Sequence, residues 1–301
     1  MRLVSSFSLP LLVVLASLTA SPRARAANPL EDLRGVPETI RPPTLPDLTH
    51  RRTELTLEVT GGTITPRDAS ELRGHVPITV LRAAIEVPIT TRRWFAGASY
   101  ITAYGNPATA EPMRFLGGNT ELYARAVWAT RIGLTFGGGI GAVLPTASYD
   151  RERPAVRGLA TGATALRPWD ISMFEEGSLA LRPFLDMRYA PGRLVLQLRQ
   201  SFDGSFDVRT SQPSRIFAVT TAYVGCRFVE GLVLGVEAYE LYLVDAPVAD
   251  ERRAFFTVAP TAHFDLDGIE PSISVLTNLG PPYLAGTERL WALRMSVTTR
   301  F

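Results

Sequence analysis

Residues able to do nucleophilic or metal chemistry are scarce in this chain: one cysteine, Cys226, and three histidines, His50, His75 and His263. A lone cysteine leaves no disulfide framework and no thiolate cluster, and scattered histidines leave little material for a His-rich zinc site, so neither a metal nor a cofactor is expected. A serine hydrolase needs a nucleophile, a histidine base and a polar orienter. Ser70 lies near His75 in sequence, but no motif joins them, and His263 stands far along the chain, so no catalytic residue is assigned. Gly61-Gly62 and Gly137-Gly138-Gly139 invite a phosphate-loop reading, yet no Lys-Ser/Thr follows and no helix is predicted after either. What remains is the chemistry of charge: single arginines and carboxylates placed at intervals in otherwise apolar segments.

Those charges nearly cancel. Lys+Arg of 31 against Asp+Glu of 29 gives a net charge of +2, which recruits no nucleic acid. Charged residues make up 20% of the chain and hydrophobic ones 46%, a balance that excludes a disordered tail or a coiled coil.

The elements that must position the charges begin after an address. Met1-Arg2 precedes an apolar run from Leu3 to Ala20, and Ala24-x-Ala26 supplies small residues for a signal peptidase, so 1–26 is read as a signal peptide. No cysteine follows the run, which argues against a lipoprotein. Residues 27–50 carry Pro29, Pro37, Pro42, Pro43 and Pro46 and read as a polar periplasmic lead, unable to hold a long helix or a central strand.

From 51 to 301 no stretch is apolar enough to cross a bilayer as a helix, yet about twelve segments alternate with period two. In Arg193 to Asp203, Leu194, Leu196, Leu198 and Phe202 fall on one face and Gln197, Arg199, Ser201 and Asp203 on the other. Leu179 to Tyr189 repeats the arrangement. Further strands are predicted over 53–63, 76–89, 94–104, 119–129, 131–144, 215–228, 232–244, 253–265, 269–279 and 288–301. The connections alternate between short, as at Ala190-Pro191-Gly192 and Val229-Glu230-Gly231, and long, the longest running from Pro145 to Gly177. A soluble sandwich has no reason for that asymmetry, whereas an outer-membrane barrel has tight periplasmic turns and longer outside loops. Strands this short can cross lipid only if the sheet closes and leaves no edge. The fold class predicted is therefore an all-β, antiparallel up-and-down transmembrane barrel of about twelve strands, with outer-membrane lipids around it.

The ending Leu290-Trp291-Ala292-Leu293-Arg294-Met295-Ser296-Val297-Thr298-Thr299-Arg300-Phe301 resembles the terminal strand of Gram-negative outer-membrane β-barrels, with a final aromatic residue and apolar alternate positions broken at Thr299. That resemblance, of porin or transporter type, covers about 250 residues. It implies an outer-membrane location and an assembly signal at Phe301 read by the barrel-assembly machinery.

With the leucine-rich faces on lipid, the other faces place Arg82, Glu86, Arg125, Arg182, Asp186, Arg188, Arg199, Arg227, Glu237 and Arg294 inside, together with Glu54, Glu58, His263 and Glu270. The expectation is a passive channel or transporter for small polar solutes, with the arginines of the sixth and seventh strands favouring anions or acidic sugars. A structural or adhesion barrel whose charges pair and plug the lumen is the alternative, and a lipid-modifying enzyme a more distant one. Gly133, Gly137, Gly139 and Gly141 leave the inward face of the fifth strand nearly bare, as if space were kept beside it. The loop from Pro145 to Gly177 is expected to narrow the pore through some of Asp150, Arg151, Glu152, Arg153, Arg157, Asp170, Glu175 and Glu176. Trp94, Trp128, Tyr189, Phe228, Tyr242, Phe264, Trp291 and Phe301 suit interfacial girdles.

Overall fold

The computed structural model describes residues 52–66, 76–89, 93–106, 114–130, 134–149, 153–208, 214–245, 254–266, 268–279 and 287–301. The signal and lead segments, Ser70, His75 and Asp150 to Glu152 lie outside them. Alternating side chains build twelve strands: β1 (Glu54–Pro66), β2 (Val76–Pro88), β3 (Trp94–Gly105), β4 (Arg114–Ala129), β5 (Leu134–Leu144), β6 (Ser178–Tyr189), β7 (Leu194–Asp207), β8 (Arg215–Val229), β9 (Leu232–Leu243), β10 (Ala254–Phe264), β11 (Ile269–Leu279) and β12 (Thr287–Arg300). Each pairs antiparallel with its sequence neighbours, and β1 closes on β12. The closing register runs from Glu54 opposite Arg300 to Ile64 opposite Leu290, and Thr53 and Phe301 exchange backbone hydrogen bonds of 3.1 and 3.0 Å. Every strand therefore has a partner on both sides, which removes the several kcal/mol that each bare amide or carbonyl costs in hydrocarbon.

One end carries short turns and the other long connections. At the turn end, Gly192, Gly231 and Gly268 hold φ of 61°, 76° and 91°, a backbone region that side-chain-bearing residues rarely adopt. At the loop end the segment between β5 and β6 turns back into the barrel as a helix, α1 (Pro154–Leu166), followed by a 3-10 segment, Pro168–Phe174. Pro154 suits the first helical turn, whose amide has no partner in any case, and alanines favour the interior.

The outward face is apolar. Leu57, Leu81, Ile85, Leu122, Leu185, Val236, Val275 and Leu293 project from it, with Leu185 70% exposed. Trp94, Trp128, Tyr189, Phe228, Phe264 and Phe301 ring the turn end, and Tyr104, Phe115, Phe206 and Trp291 the loop end. These are the two aromatic girdles and intervening belt of a transmembrane barrel.

One spot departs from the belt. Glu240 on β9 is the single carboxylate on the outward face among the described strand residues; it stands opposite Thr220 on β8, itself opposite Gln200 on β7. Thr220 Oγ1 donates to Gln200 Oε1 at 2.8 Å, and Gln200 Nε2 donates to the Val219 carbonyl at 3.2 Å. Tyr242 lies two residues nearer the loop end, so the spot sits beneath the girdle, where a lipid-facing carboxylate costs less than at the midplane. Glu240→Leu is expected to raise stability by up to about 1 kcal/mol in reversible denaturant unfolding from lipid vesicles.

Candidate functional site in the barrel lumen

The inward faces change character along the axis. Toward the loop end they are apolar: Ile64, Ile78, Val80, Ile101, Leu116, Val143, Phe217, Leu241, Leu243, Phe255, Leu276 and Leu290 form a cup. A polar-lined lumen throughout is thus not what the chain builds. An empty apolar cup in a barrel would be costly, and α1 fills it with Leu159, Ala163 and Leu166, all buried. The close approach is built on glycines. A Cβ on Gly162 would lie 2.0 Å from Ile78 Cδ1, and one on Gly118 of β4 would lie 2.7 Å from the Met173 carbonyl.

Gly118 and Asn119 together stand opposite a single residue of β3, Ile101, making a bulge. The extra residue turns Asn119 inward beneath the 3-10 segment. Its Nδ2 donates to the carbonyls of Ser172 and Glu175 at 2.9 and 2.7 Å, while its Oδ1 accepts from the Ala147 amide at 2.8 Å. Tyr149 Oη donates to the Phe174 carbonyl at 2.6 Å. Carbonyls of an irregular turn thereby find donors away from water.

Below the cup lies a belt of charge, and the base of the plug docks on it. Arg167 binds Glu58 of β1 and, through Nη2 at 2.6 Å, Asp170. Arg182 of β6 reaches Asp203 at 2.7 Å, Glu121 at 3.1 Å and Asp170 at 3.7 Å, and donates to Ser172 Oγ at 2.8 Å. Trp169 stacks on Tyr239 with ring centroids 4.1 Å apart. Nearer the turn end, Arg125 Nε meets Glu86 at 2.8 Å and Arg199 Nε meets Asp186 at 2.7 Å, while at the level of the plug base Arg294, fully buried, pairs with Glu237 and donates to Tyr239 Oη at 2.7 Å. Charges taken from water need such partners, because a buried ion stripped of its partner costs about 3–5 kcal/mol.

The inward residues singled out from the sequence therefore occupy different places. Glu86, Arg125, Arg182, Asp186, Arg199, Glu237 and Arg294 belong to ion pairs. Arg188 is buried near the turn end, Arg227 is half-buried at the turn end of β8, and Arg82 faces the belt from β2. His263 packs edge-on against Tyr223 at 5.9 Å. Of the loop residues, Asp170 enters the lumen, Arg153 and Arg157 are exposed, and Glu175 lies 3.8 Å from Arg215 near the loop end. Arg167, Trp169, Asn119, Glu121 and Asp203 were not singled out by motif; a usable signal is the pair of strands, β2 and β9, whose inward face turns apolar toward the loop end.

The bare fifth strand leaves no vacancy. Phe184 of β6, opposite Gly139, would meet a Cβ there at 2.7 Å, and Glu121 Oε1 would meet one on Gly141 at 2.9 Å. The glycines let bulky side chains of both neighbouring strands lean over β5. Likewise the β6 and β7 arginines are no free anion pair, because Arg182 and Arg199 are neutralised by Asp203 and Asp186.

Two chambers stand out among the described residues. A vestibule of about 510 Å³ near the loop end is lined by Arg157, Thr161, Ile171, Phe174, Glu175, Asp207 and Arg215. A smaller cavity of about 100 Å³ beneath the plug is lined by Thr56, Arg82, Tyr123, Arg167, Trp169, Asp170, Arg199, Ser201 and Thr221. Ile171 and Phe174 face the first, Trp169 and Asp170 the second. The 3-10 segment is a septum between them.

Among solved structures, an outer membrane channel from Pseudomonas putida F1 superposes with a TM-score of 0.61 at 12% identity, covering 87% of this chain and 100% of that chain. The NanC porin gives 0.51 at 11% identity, over 81% of this chain and 100% of that one. The fold is that of an outer-membrane β-barrel. No protein-family model and no curated protein matches the chain.

In this barrel the plug's docking is open to a direct test. Gly→Ala inside a helix ordinarily adds about 1 kcal/mol of helix propensity, but Gly162→Ala is expected to loosen α1 by about 1–3 kcal/mol through the clash with Ile78. Amide hydrogen exchange across 154–174 should speed up in Gly162→Ala and return toward the parent rate when Ile78→Ala is added.

Proposed function

We propose that the chain is a passive outer-membrane channel for small hydrophilic solutes, with the turn end in the periplasm and the septum as its constriction. The observation that carries the reading is the pair of chambers on either side of the seven-residue segment Pro168–Phe174. A purely structural barrel has no use for a vestibule and a charged cavity divided by so thin a wall. The wall is also polar: Asp170 and Ser172 are tied to Arg167, Arg182 and Asp203 by hydrogen bonds that water or a solute can replace, rather than by close packing alone.

The same reading assigns the remaining parts. The signal peptide 1–26 exports the chain, 27–50 is its periplasmic lead, and Phe301, exposed beyond the closing strand, is the mark read by the barrel-assembly machinery.

Planar-bilayer recording of the purified mature protein tests the channel. The parent is expected to conduct in small steps, and Arg167→Met, which leaves Glu58 without its arginine and Asp170 with only the 3.7 Å contact to Arg182, to conduct several-fold more. Silence in both proteins would refute the reading.

A further inference from the structure

The cavity beneath the septum contains a guanidinium that, among the described residues, no carboxylate pairs with directly. Arg82 lies in cross-strand register with Glu58, but Glu58 Oε1 is taken by Arg167. Among the described residues Arg82 has neither a hydrogen bond nor an ion pair, and it is half-buried on the cavity wall. Its charge lies near enough to act on both Asp170 and Tyr123.

The carboxylates on that wall are, by contrast, all engaged. Glu54 lies 3.7 Å from Arg300, Glu86 2.8 Å from Arg125, Glu121 3.1 Å from Arg182, and Asp170 2.6 Å from Arg167. Arg199 gives Nε and Nη2 to Asp186 and covers the Phe184 ring, leaving Nη1 without a bond among the described residues. The charge on that wall without a counter-ion is thus positive, and it is held by the planar fork of Arg82. A cation entering would find every acid already paired. An oxyanion would find two coplanar N–H groups at the spacing of its oxygens.

We infer that this cavity is a binding site for a small oxyanion, a carboxylate or phosphate group, held by Arg82. This inference rests on the channel reading above and names the solute class. A volume of about 100 Å³ holds several waters, so it admits the charged group of a solute and not an extended chain. The hydroxyls of Thr56, Ser201 and Thr221 stand on the same wall for a solute's remaining polar atoms.

The test uses the mature protein in detergent micelles, with acetate and inorganic phosphate as probes in calorimetric titrations. Arg82→Gln, Arg82→Lys and, as a control, Arg193→Gln on the exposed β6–β7 turn are compared with the parent. The expected result is binding of at least one probe by the parent and the control, about tenfold or more weaker binding by Arg82→Gln, and an intermediate loss in Arg82→Lys, which keeps charge without the fork. Should Arg82→Gln fail to fold, Arg82→Lys alone carries the comparison. Parent that binds neither probe, or equal binding by all proteins, overturns the site. Bilayer conductance of the same preparations separates the two readings: conduction without oxyanion binding overturns only this site, and binding without conduction overturns the channel.

Discussion

A peptide group in hydrocarbon has nowhere to place its hydrogen bonds except on another peptide group, and this molecule is organised around that demand. The register of β1 against β12, from Glu54 to Ile64 on one strand and Arg300 to Leu290 on the other, turns an open sheet into a ring. Once the ring exists, alternation has a single meaning: odd and even positions become lipid and lumen. Leu55, Leu57 and Val59 take one side of β1, and Glu54, Thr56 and Glu58 the other. Charges that would be costly outside become affordable inside because they share a small volume with opposite charges.

The enclosed space sets a second problem, which the chain solves in two chemistries. Near the loop end an apolar wall is matched by an apolar helix, so the filling resembles a soluble core whose cover happens to be a barrel. Lower down, side chains pair across gaps that packing does not fill. Some pairs join adjacent strands, as Arg182 with Asp203 and Arg199 with Asp186, and others skip strands: Glu86 on β2 reaches Arg125 on β4 past β3, and Glu237 on β9 reaches Arg294 on β12. Arg167 and Asp170 insert the plug into this lattice as members and not as a lid laid upon it. The two regimes meet at the septum, where Trp169 stacks on Tyr239 above the belt and Ser172 is held by Arg182 and Asp203.

How much of this was readable beforehand follows from the range of each interaction. Strand identity depends on neighbours two residues apart, so all twelve strands and their alternating short and long connections are legible, with errors confined to ends such as β4, which begins at Arg114 rather than near Asn119. Pairing among the charges depends on register and curvature, which period-two alternation does not specify; Arg182 reads as a free lumen cation until Asp203 and Glu121 are placed beside it. The glycines of β5 read as emptiness because the side chains that occupy their space, Phe184 and Glu121, belong to other strands. The helix Pro154–Leu166 goes unread as a helix because its alanines and glycines give little contrast between faces, and the wall that selects one face comes from distant strands.

The bulge at Gly118 and Asn119 has a consequence for how β4 can change. Above it Leu116 and Gly118 point inward; below it Asn119, Glu121, Tyr123 and Arg125 do, so the strand carries two alternations offset by one position. A single-codon deletion there would merge them into one continuous alternation with every other side chain still on its proper face, whereas the same deletion elsewhere in β4 would send one stretch of the strand to the wrong solvent. Away from the bulge, drift along β4 is therefore confined to substitutions, whereas the bulge itself and the long connections at the loop end leave room for changes in length.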